Sequence, residues 1–365
     1  MRRLRISVVG CGGITEHYLS VYRDLDWVDV LTCMDVDLER AARSARVVGA
    51  KATSNFSQCL DPNIDAVIIN TPNYLHRQQT IAALEAGKHV LVQKPLTTNV
   101  SDALAITESA ERAVTRGQTC GLYMSYFDQP LMHDFKQMIE EGLFGEITHF
   151  YGRLMHRGGL ALSEQMRAGG DNWRGSVEKT GGGCFIQLGV HFIHLFEWLA
   201  TASVIRVNAI TKNLHAHGIE GEDFACALLE LSTGALITLD MSWCASGEQI
   251  SIHGTRGSAD YIANSLVLIG TDGGNFSGRT IKYLSEYSQS SPKAPGAAMQ
   301  HQSQTVLAPD LGDVTNPFNQ QRQFLEAARD GLPAYVPMSA GLADLRVVEA
   351  VYESSRTNRT ISIVE

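Results

Sequence analysis

The sequence predicts an α/β protein: residues 1–123 form a doubly wound parallel sheet, and 124–365 form a second domain of strands and loops around one apolar helix. Three observations carry that expectation. Strand-like and helix-like segments alternate with a regular beat. The strand-like runs are almost continuously hydrophobic, as strands covered on both faces are. A chain of 365 residues with 44% hydrophobic residues is also long enough for about two buried cores.

Each element has its own signal. Arg5–Gly10 reads as a strand, Ile14–Leu25 as a helix, Val28–Met34 as a strand and Leu38–Val48 as a helix. After a less regular piece come strand Ala66–Asn70, helix Leu75–Ala86, strand His89–Val92, helix Val100–Arg116 and strand Thr119–Tyr123. The domain boundary falls near Tyr123–Ser125. Beyond it, Glu146–Met155, Val204–Lys212, Phe224–Leu231, Ala235–Trp243 and Glu248–His253 alternate or run apolar, and Ser232-Thr233-Gly234 turns two of them into a hairpin. Helices Pro317–Asp330 and Ala340–Arg356 close the chain. Ser285–Thr315, rich in Ser, Gln, Pro, Gly and Ala, reads as a long loop over a cleft or partner, or as a mobile segment.

Charge narrows the function classes. A net charge of -9 and a pI near 5.7 argue against a nucleic-acid surface, since Arg2, Arg3 and Arg5 are too few and too terminal to make one. Ile6–Val9 is too short for a signal-peptide core, and no stretch approaches the roughly 18 apolar residues of a membrane span, so a cytoplasmic protein is expected. The seven cysteines are scattered and never form C-x-x-C, which indicates neither a disulfide framework nor a zinc ribbon.

Gly10-Cys11-Gly12-Gly13-Ile14-Thr15 occupies the first strand-to-helix turn. There, glycines let backbone N–H groups approach a pyrophosphate, and the helix N-terminus favours the anion. The last position is Thr15 where Gly or Ala is usual. Asp35 ends the next strand, where a carboxylate accepts both ribose hydroxyls and repels a 2'-phosphate; no Arg follows it, so NAD is expected over NADP. The alternative role for Asp35 is to cap the following helix.

Two further landmarks sit at strand ends, where ligands bind in open α/β sheets: Asn70-Thr71-Pro72-Asn73-Tyr74-Leu75-His76 and Gln93-Lys94-Pro95. An ammonium at Lys94 can polarise an alcohol or relay its proton. Read as one helix, Gly181–Trp198 puts Gln187, His191 and His194 on one face at i, i+4 and i+7. Alone, that pattern also suits a core helix with two hydrogen-bonded histidines. No metal is expected: His191 and His194 with His156, His215 or His217 lack a carboxylate to complete a set. Arg153, His156, Arg157, Arg167 and Arg174 concentrate positive charge in an acidic chain, and Trp173 offers a face for a sugar ring. An anionic sugar would fit Arg153, His156, Arg157, Trp173 and Arg174; these charges otherwise pair with Glu164, Asp171 and Glu178 or face water.

Taken together, the glycine turn, DAVIINTPNYLHRQQTIAALEAGKHVLVQKP, TGGGCFIQLGVHFIHLFEWL and GEDFACALLELSTGALITLDMSW with HGTRGSADY resemble the glucose-fructose oxidoreductase and inositol dehydrogenase family, Gfo/Idh/MocA, over essentially the whole chain. The resemblance implies an N-terminal Rossmann domain and a C-terminal α/β domain with a large open, mainly antiparallel sheet. It also implies a nicotinamide-dependent oxidoreductase of sugars or cyclitols, associating as dimers or tetramers through the open sheet. Lys94 matches the lysine of the family's Glu-Lys-Pro motif, and His191 the histidine of its Asp-x-Gly-x-His-x-x-Asp motif, which is the usual acid/base. Gln93, Gln187 and His194 stand where the family has Glu, Asp and Asp, and each change removes a carboxylate that favours a cationic neighbour. Two other outcomes stay open: an NAD-dependent glycosidase working by oxidation, elimination, hydration and re-reduction, and an NAD-sensing regulator without turnover.

Overall fold

The computed structural model describes residues 3–262, 265–270 and 312–363. Most of Ser285–Thr315 lies outside them.

In the first part of the chain β1 (Leu4–Val9), α1 (Gly13–Asp24), β2 (Val28–Met34), α2 (Leu38–Val48), β3 (Lys51–Thr53), β4 (Ala66–Ile69), α3 (Asn73–Glu85), β5 (His89–Gln93), α4 (Val100–Val114) and β6 (Cys120–Tyr123) follow one another. The strands form one parallel sheet in the order β3-β2-β1-β4-β5-β6. Every residue of β4 is fully buried, which is why it reads as an unbroken apolar run instead of an alternating one. The order reverses between β1 and β4, and the chain turns at their carboxyl ends gather there. Sequence reasoning missed β3, whose three residues begin exposed and give no hydrophobic run.

The second part contains α5 (Pro130–Glu140), β7 (Ile147–Met155), α6 (Gly158–Arg167), a short α7 (Val177–Thr180), a π-turn (Phe185–Gly189), α8 (Val190–Ala200) and strands β8 (Val204–Lys212), β9 (Phe224–Leu231), β10 (Leu236–Ser242), β11 (Gly247–Gly254), β12 (Gly257–Ile262) and β13 (Ser265–Gly270). With β14 (Ile361–Ser362) these strands make an eight-stranded sheet, β13-β12-β11-β7-β10-β9-β8-β14, antiparallel except between β7 and β10. One face carries α8: a Cβ on Gly152 would lie 2.6 Å from the Phe192 ring, and Phe150 stacks on Phe196 at 5.0 Å. Strand alternation therefore turns His149, Tyr151 and Arg153 to the opposite face.

Compactness does not divide the chain at a single cut near residue 123. One unit comprises Met1–Asp128, Ser176–Gly182 and Pro309–Arg346, and the other Gln129–Gly175, Gly183–Ala308 and Val347–Glu365. The helix Gln320–Asp330 returns to the first unit, where Phe324 and Leu325 join the core of β1 and α1. By length and composition the run Val177–Ala200 is apolar enough to cross a bilayer, contrary to the sequence expectation, and 72% of it is buried inside the protein. Among the cysteines, 11, 33, 59, 120 and 184 are buried, as small hydrophobes are.

Candidate active site

The glycine turn is built from two kinds of glycine. Gly10 has φ +88°, and a Cβ there would lie 2.7 Å from the carbonyl carbon and oxygen of Asn70, so both backbone and space demand glycine. At Gly12 and Gly13 a Cβ would meet nothing within 4 Å. That open space borders the first turn of α1, whose N-cap, Gly12, supplies no side chain to the unpaired N–H groups, so the residues fit a pyrophosphate. Ile14 is exposed beside them. Thr15, the unusual residue, is explained by its hydroxyl. It donates to the Gly10 carbonyl at 2.5 Å and accepts from the Asn70 amide at 3.0 Å, tying the β1 turn to the β4 turn.

Asp35 closes the other side of the turn. Its Oδ2 accepts the Cys11 N–H at 2.8 Å and its Oδ1 the Asp37 N–H at 2.9 Å, which leaves about two of its four lone-pair sites for ribose hydroxyls. The capping role belongs instead to Asp37, whose carboxylate accepts the N–H groups of Glu39 and Arg40.

Around the β4 and β5 ends the structure redistributes the expected cofactor contacts. The Thr71 hydroxyl donates to Gln79 at 2.6 Å, and Asn73, buried, donates to the Thr180 carbonyl at 3.0 Å. Pro72 is the N-cap of α3. His76 was expected at the cofactor but is completely buried, its Nδ1 3.0 Å from the Pro95 carbonyl and its Nε2 2.8 Å from the Thr71 carbonyl. It locks two loops together. Burial pushes the ring below its usual pKa, and the charge of Lys94 adds to that effect. Gln93 is likewise turned inward: its Nε2 donates to the Tyr18 hydroxyl at 2.8 Å and its Oε1 accepts the Lys94 N–H at 3.3 Å. Lys94 thus stands part-buried at the end of β5, held through Gln93 before it and Pro95 after it.

In the second unit the histidine helix is not uniform. Gln187 lies in the π-turn and His191 and His194 in α8, so the three are not spaced along one regular α-helix; π-turns of this kind often mark functional sites. Gln187 and His191 are each 9% exposed, and His194 is half-buried. Glu222, which sequence reasoning missed, organises the approach: its carboxylate accepts the N–H groups of Gly183 and Phe185, both at 2.8 Å, and the Tyr352 hydroxyl at 3.0 Å. Burial raises its pKa against these bonds. A Cβ at Gly183 would lie 2.0 Å from the Glu222 carbonyl oxygen, which explains a glycine there. Neighbouring Asp223 accepts three N–H groups of the loop holding His215 and His217, which are exposed; burial raises its carboxyl, but those bonds outweigh it and hold the pKa low. Among the described residues no three side chains could hold a metal ion.

The basic cluster separates. Arg153 lies on the sheet face away from α8 and pairs with Asp240 at 3.4 Å, so it cannot join His191; strand alternation, not distance in sequence, decides this. Arg174 lies over the Trp173 ring at 4.5 Å. His156 Nδ1 accepts the Gly158 N–H at 3.0 Å, and Arg157 is the exposed N-cap of α6.

Residues 4–119 match the family model for the oxidoreductase family, NAD-binding Rossmann fold, and residues 132–260 match the GFO/IDH/MocA C-terminal domain. Among curated proteins the chain is 24% identical to the D-apiose dehydrogenase of Paraburkholderia graminis, covering 100% of this chain and 90% of that one. It is 26% identical to scyllo-inositol 2-dehydrogenase (NADP(+)) IolW of Bacillus subtilis, covering 99% and 96%. The WlbA dehydrogenase of Bordetella pertussis, solved with NADH and UDP-GlcNAcA, superposes with a TM-score of 0.82 at 22% identity over 100% and 99% of the two chains. A levoglucosan dehydrogenase, solved with NADH and L-sorbose, gives 0.81 at 19% identity over 99% of each. The glycine turn with Asp35, the six-stranded parallel sheet and the eight-stranded mainly antiparallel sheet are thus those of an NAD-binding oxidoreductase, and the chain belongs to the Gfo/Idh/MocA family.

Proposed function

We propose that the protein is an NAD-dependent dehydrogenase of a sugar or cyclitol hydroxyl, with His191 as general base and Lys94 holding or relaying the hydroxyl proton. The observation that carries this reading is the placing of Lys94. It sits at the end of β5, one strand from the glycine-turn neighbour β4, with its backbone fixed by Gln93 and by the carbonyl of Pro95 against His76. NAD, when bound, accepts a hydride from the carbinol carbon. The chain's own part is proton handling: a neutral imidazole at His191 takes the hydroxyl proton, and the Lys94 ammonium steadies the oxygen as charge develops on it. Curated relatives named for apiose and inositol support a polyol substrate.

An anionic sugar suits His156, Arg157, Trp173 and Arg174, with Arg153 excluded by its place on the sheet. The neutral amides at Gln93 and Gln187 keep an oxidation–elimination glycosidase as the second reading, while a sensor without turnover would not need Lys94 and His191. A homo-oligomer is supported by Ile210, Leu228, Leu236 and Ile262, all at least 38% exposed on the helix-free face of the eight-stranded sheet.

One experiment separates these outcomes: purified protein with NAD and a panel of sugars, cyclitols, uronates and glycosides, following NADH and aglycone release together. NADH rising in step with product supports the dehydrogenase. Aglycone release without net NADH moves the assignment to the glycosidase, and binding of NAD with neither signal across the panel leaves the sensor.

A further inference from the structure

On the helix-free face of the eight-stranded sheet, His149 of β7 and His253 of β11 are directly paired across the two strands. Their Nδ1 atoms are 3.4 Å apart and their ring centroids 5.6 Å, with the ring planes inclined at 36°. Each ring is also held at its far nitrogen. His149 Nε2 lies 2.9 Å from the Thr238 hydroxyl of β10, and His253 Nε2 lies 3.5 Å from Asp260 Oδ1 of β12. The register of β7 and β11 shifts immediately after the pair, between His253 and Gly254, where a Cβ would run into the Phe144 carbonyl. Irregularities of this kind re-aim a side chain and gather beside functional sites.

The partners of the far nitrogens bear on what the near ones can do. Asp260 can only accept, so it favours the proton on Nε2 of His253 and leaves Nδ1 as a lone pair. The Thr238 hydroxyl can accept from His149 in the same way, which turns a second lone pair toward the first. A proton between the two Nδ1 atoms would have to span 3.4 Å, longer than the roughly 2.7–3.2 Å of an ordinary N–H hydrogen bond. A metal ion fits that separation better. With metal–nitrogen bonds of about 2.0–2.1 Å, two nitrogens on a tetrahedral ion stand about 3.3–3.4 Å apart, against about 2.9 Å for neighbouring positions on an octahedral or square-planar one. A carboxylate or other acceptor on the far nitrogen is also how histidine ligands are oriented toward a metal.

We propose that His149 and His253 bind one tetrahedral divalent ion of the zinc kind through their Nδ1 atoms, with Thr238 and Asp260 orienting the rings and water in the other two positions. The ion clasps β7 to β11. The His253 side chain is 40% exposed, so solvent reaches the positions that the chain leaves open. The site is separate from the dehydrogenase chemistry, because α8, which carries His191, packs on the opposite face of the sheet. It stands whether or not that reading does.

The test uses the full-length protein, stripped with a chelator and titrated with Zn2+ by calorimetry and with Co2+ by visible absorption, which is intense for a tetrahedral ion and weak for an octahedral one. One ion should bind per chain, with a tetrahedral cobalt spectrum, and X-ray absorption of the zinc form should show two imidazole nitrogens at about 2.0–2.1 Å. His149→Gln and His253→Gln should each remove the binding, and Asp260→Asn should weaken it about tenfold to a hundredfold. His215→Gln, in an exposed loop, should leave it unchanged. A wild type that binds no zinc overturns the proposal, as does an octahedral cobalt spectrum, or one ion per chain still bound by His253→Gln. The cobalt spectrum and the X-ray absorption are read on the wild type, so they decide the proposal even where a variant fails to fold.

Discussion

Replacing Glu222 tests how the histidine helix is held. The carboxylate satisfies two main-chain N–H groups at the entrance of the π-turn, from Gly183 and Phe185, and one hydroxyl, from Tyr352, which in turn accepts the Ile186 N–H at 3.3 Å. Glu222→Ala leaves the two N–H groups buried without a partner, at about 1–3 kcal/mol each, while the Tyr352 hydroxyl can rotate. Removing a carboxylate whose burial is itself costly offsets part of this, so the net loss is about 3 kcal/mol. Glu222→Gln keeps Oε1 for Phe185 and Tyr352 but turns an NH2 group toward the Gly183 N–H, so it should lose about half as much. Urea unfolding gives the stability, and kcat with NAD affinity gives the function. Because the disturbed backbone leads into Gln187 and His191, kcat should fall at least tenfold while the NAD dissociation constant stays within about twofold. A Glu222→Ala protein within about 0.5 kcal/mol of wild type and fully active would refute the idea that this carboxylate sets the helix.

Four further outcomes are expected. Lys94→Ala and His191→Ala should each lower turnover about a hundredfold to ten-thousandfold with NAD binding nearly intact, and near-normal turnover in both would remove the catalytic assignment. Asp35→Asn should improve NADP binding about thirtyfold, from about 2 kcal/mol of relieved repulsion between a carboxylate and a 2'-phosphate roughly 5 Å away; titration of both cofactors shows whether the wild type discriminates at all. Leu228→Arg on the exposed sheet face should shift the oligomer to a smaller species in light scattering, and an unchanged mass would mean that assembly uses another surface. Asp128, with a native pKa near 6 against about 3.9 unfolded, binds its proton more tightly when folded. Its contribution is therefore greatest below about pH 4 and is lost as pH rises through 6, so the stability of Asp128→Asn relative to wild type should rise by about 2–3 kcal/mol between those limits in unfolding titrations.

The parallel sheet was legible because burial on both faces writes long apolar runs, and Val28–Met34 and Leu38–Val48 appear with the bounds expected from the sequence. The glycine turn was legible for a related reason: Gly10 needs φ +88° and has no room for a Cβ against Asn70, and the Asp35 carboxylate closes the turn by accepting the Cys11 N–H. What sequence could not show is where a polar side chain spends its hydrogen bonds. His76, Asn73 and Gln93 sit in the right motifs yet face inward, and Arg153 belongs by sequence to the basic cluster yet pairs with Asp240 across the sheet. For Arg153 a signal existed, since the strand Glu146–Met155 was expected and alternation sends Arg153 to the side opposite Gly152 and Leu154. Glu222 announced itself only by lying next to Asp223 before an apolar strand, which is also how many surface turns read.

The amides at 93 and 187 acquire a common meaning from what lies behind them. Each stands where the motifs that the sequence resembles have a carboxylate, and an acid whose pKa burial raises lies behind each. Gln93 donates to Tyr18, whose ring packs on Tyr123, the donor to Asp128, and Glu222 holds the backbone that leads to Gln187. Burial raises the pKa of both acids. A carboxylate in contact with Lys94 or His191 would stabilise the cation beside it directly, whereas an acid at this remove acts on geometry and gives up most of the Coulomb energy. The amide at 187 therefore leaves out the charge that a carboxylate there would place beside a cationic neighbour. Placing an acid at this position by Gln187→Glu is expected to shift the acid limb of kcat/KM to higher pH, because the new charge holds the imidazolium; a limb that does not move would show that position 187 does not face His191 in the working enzyme.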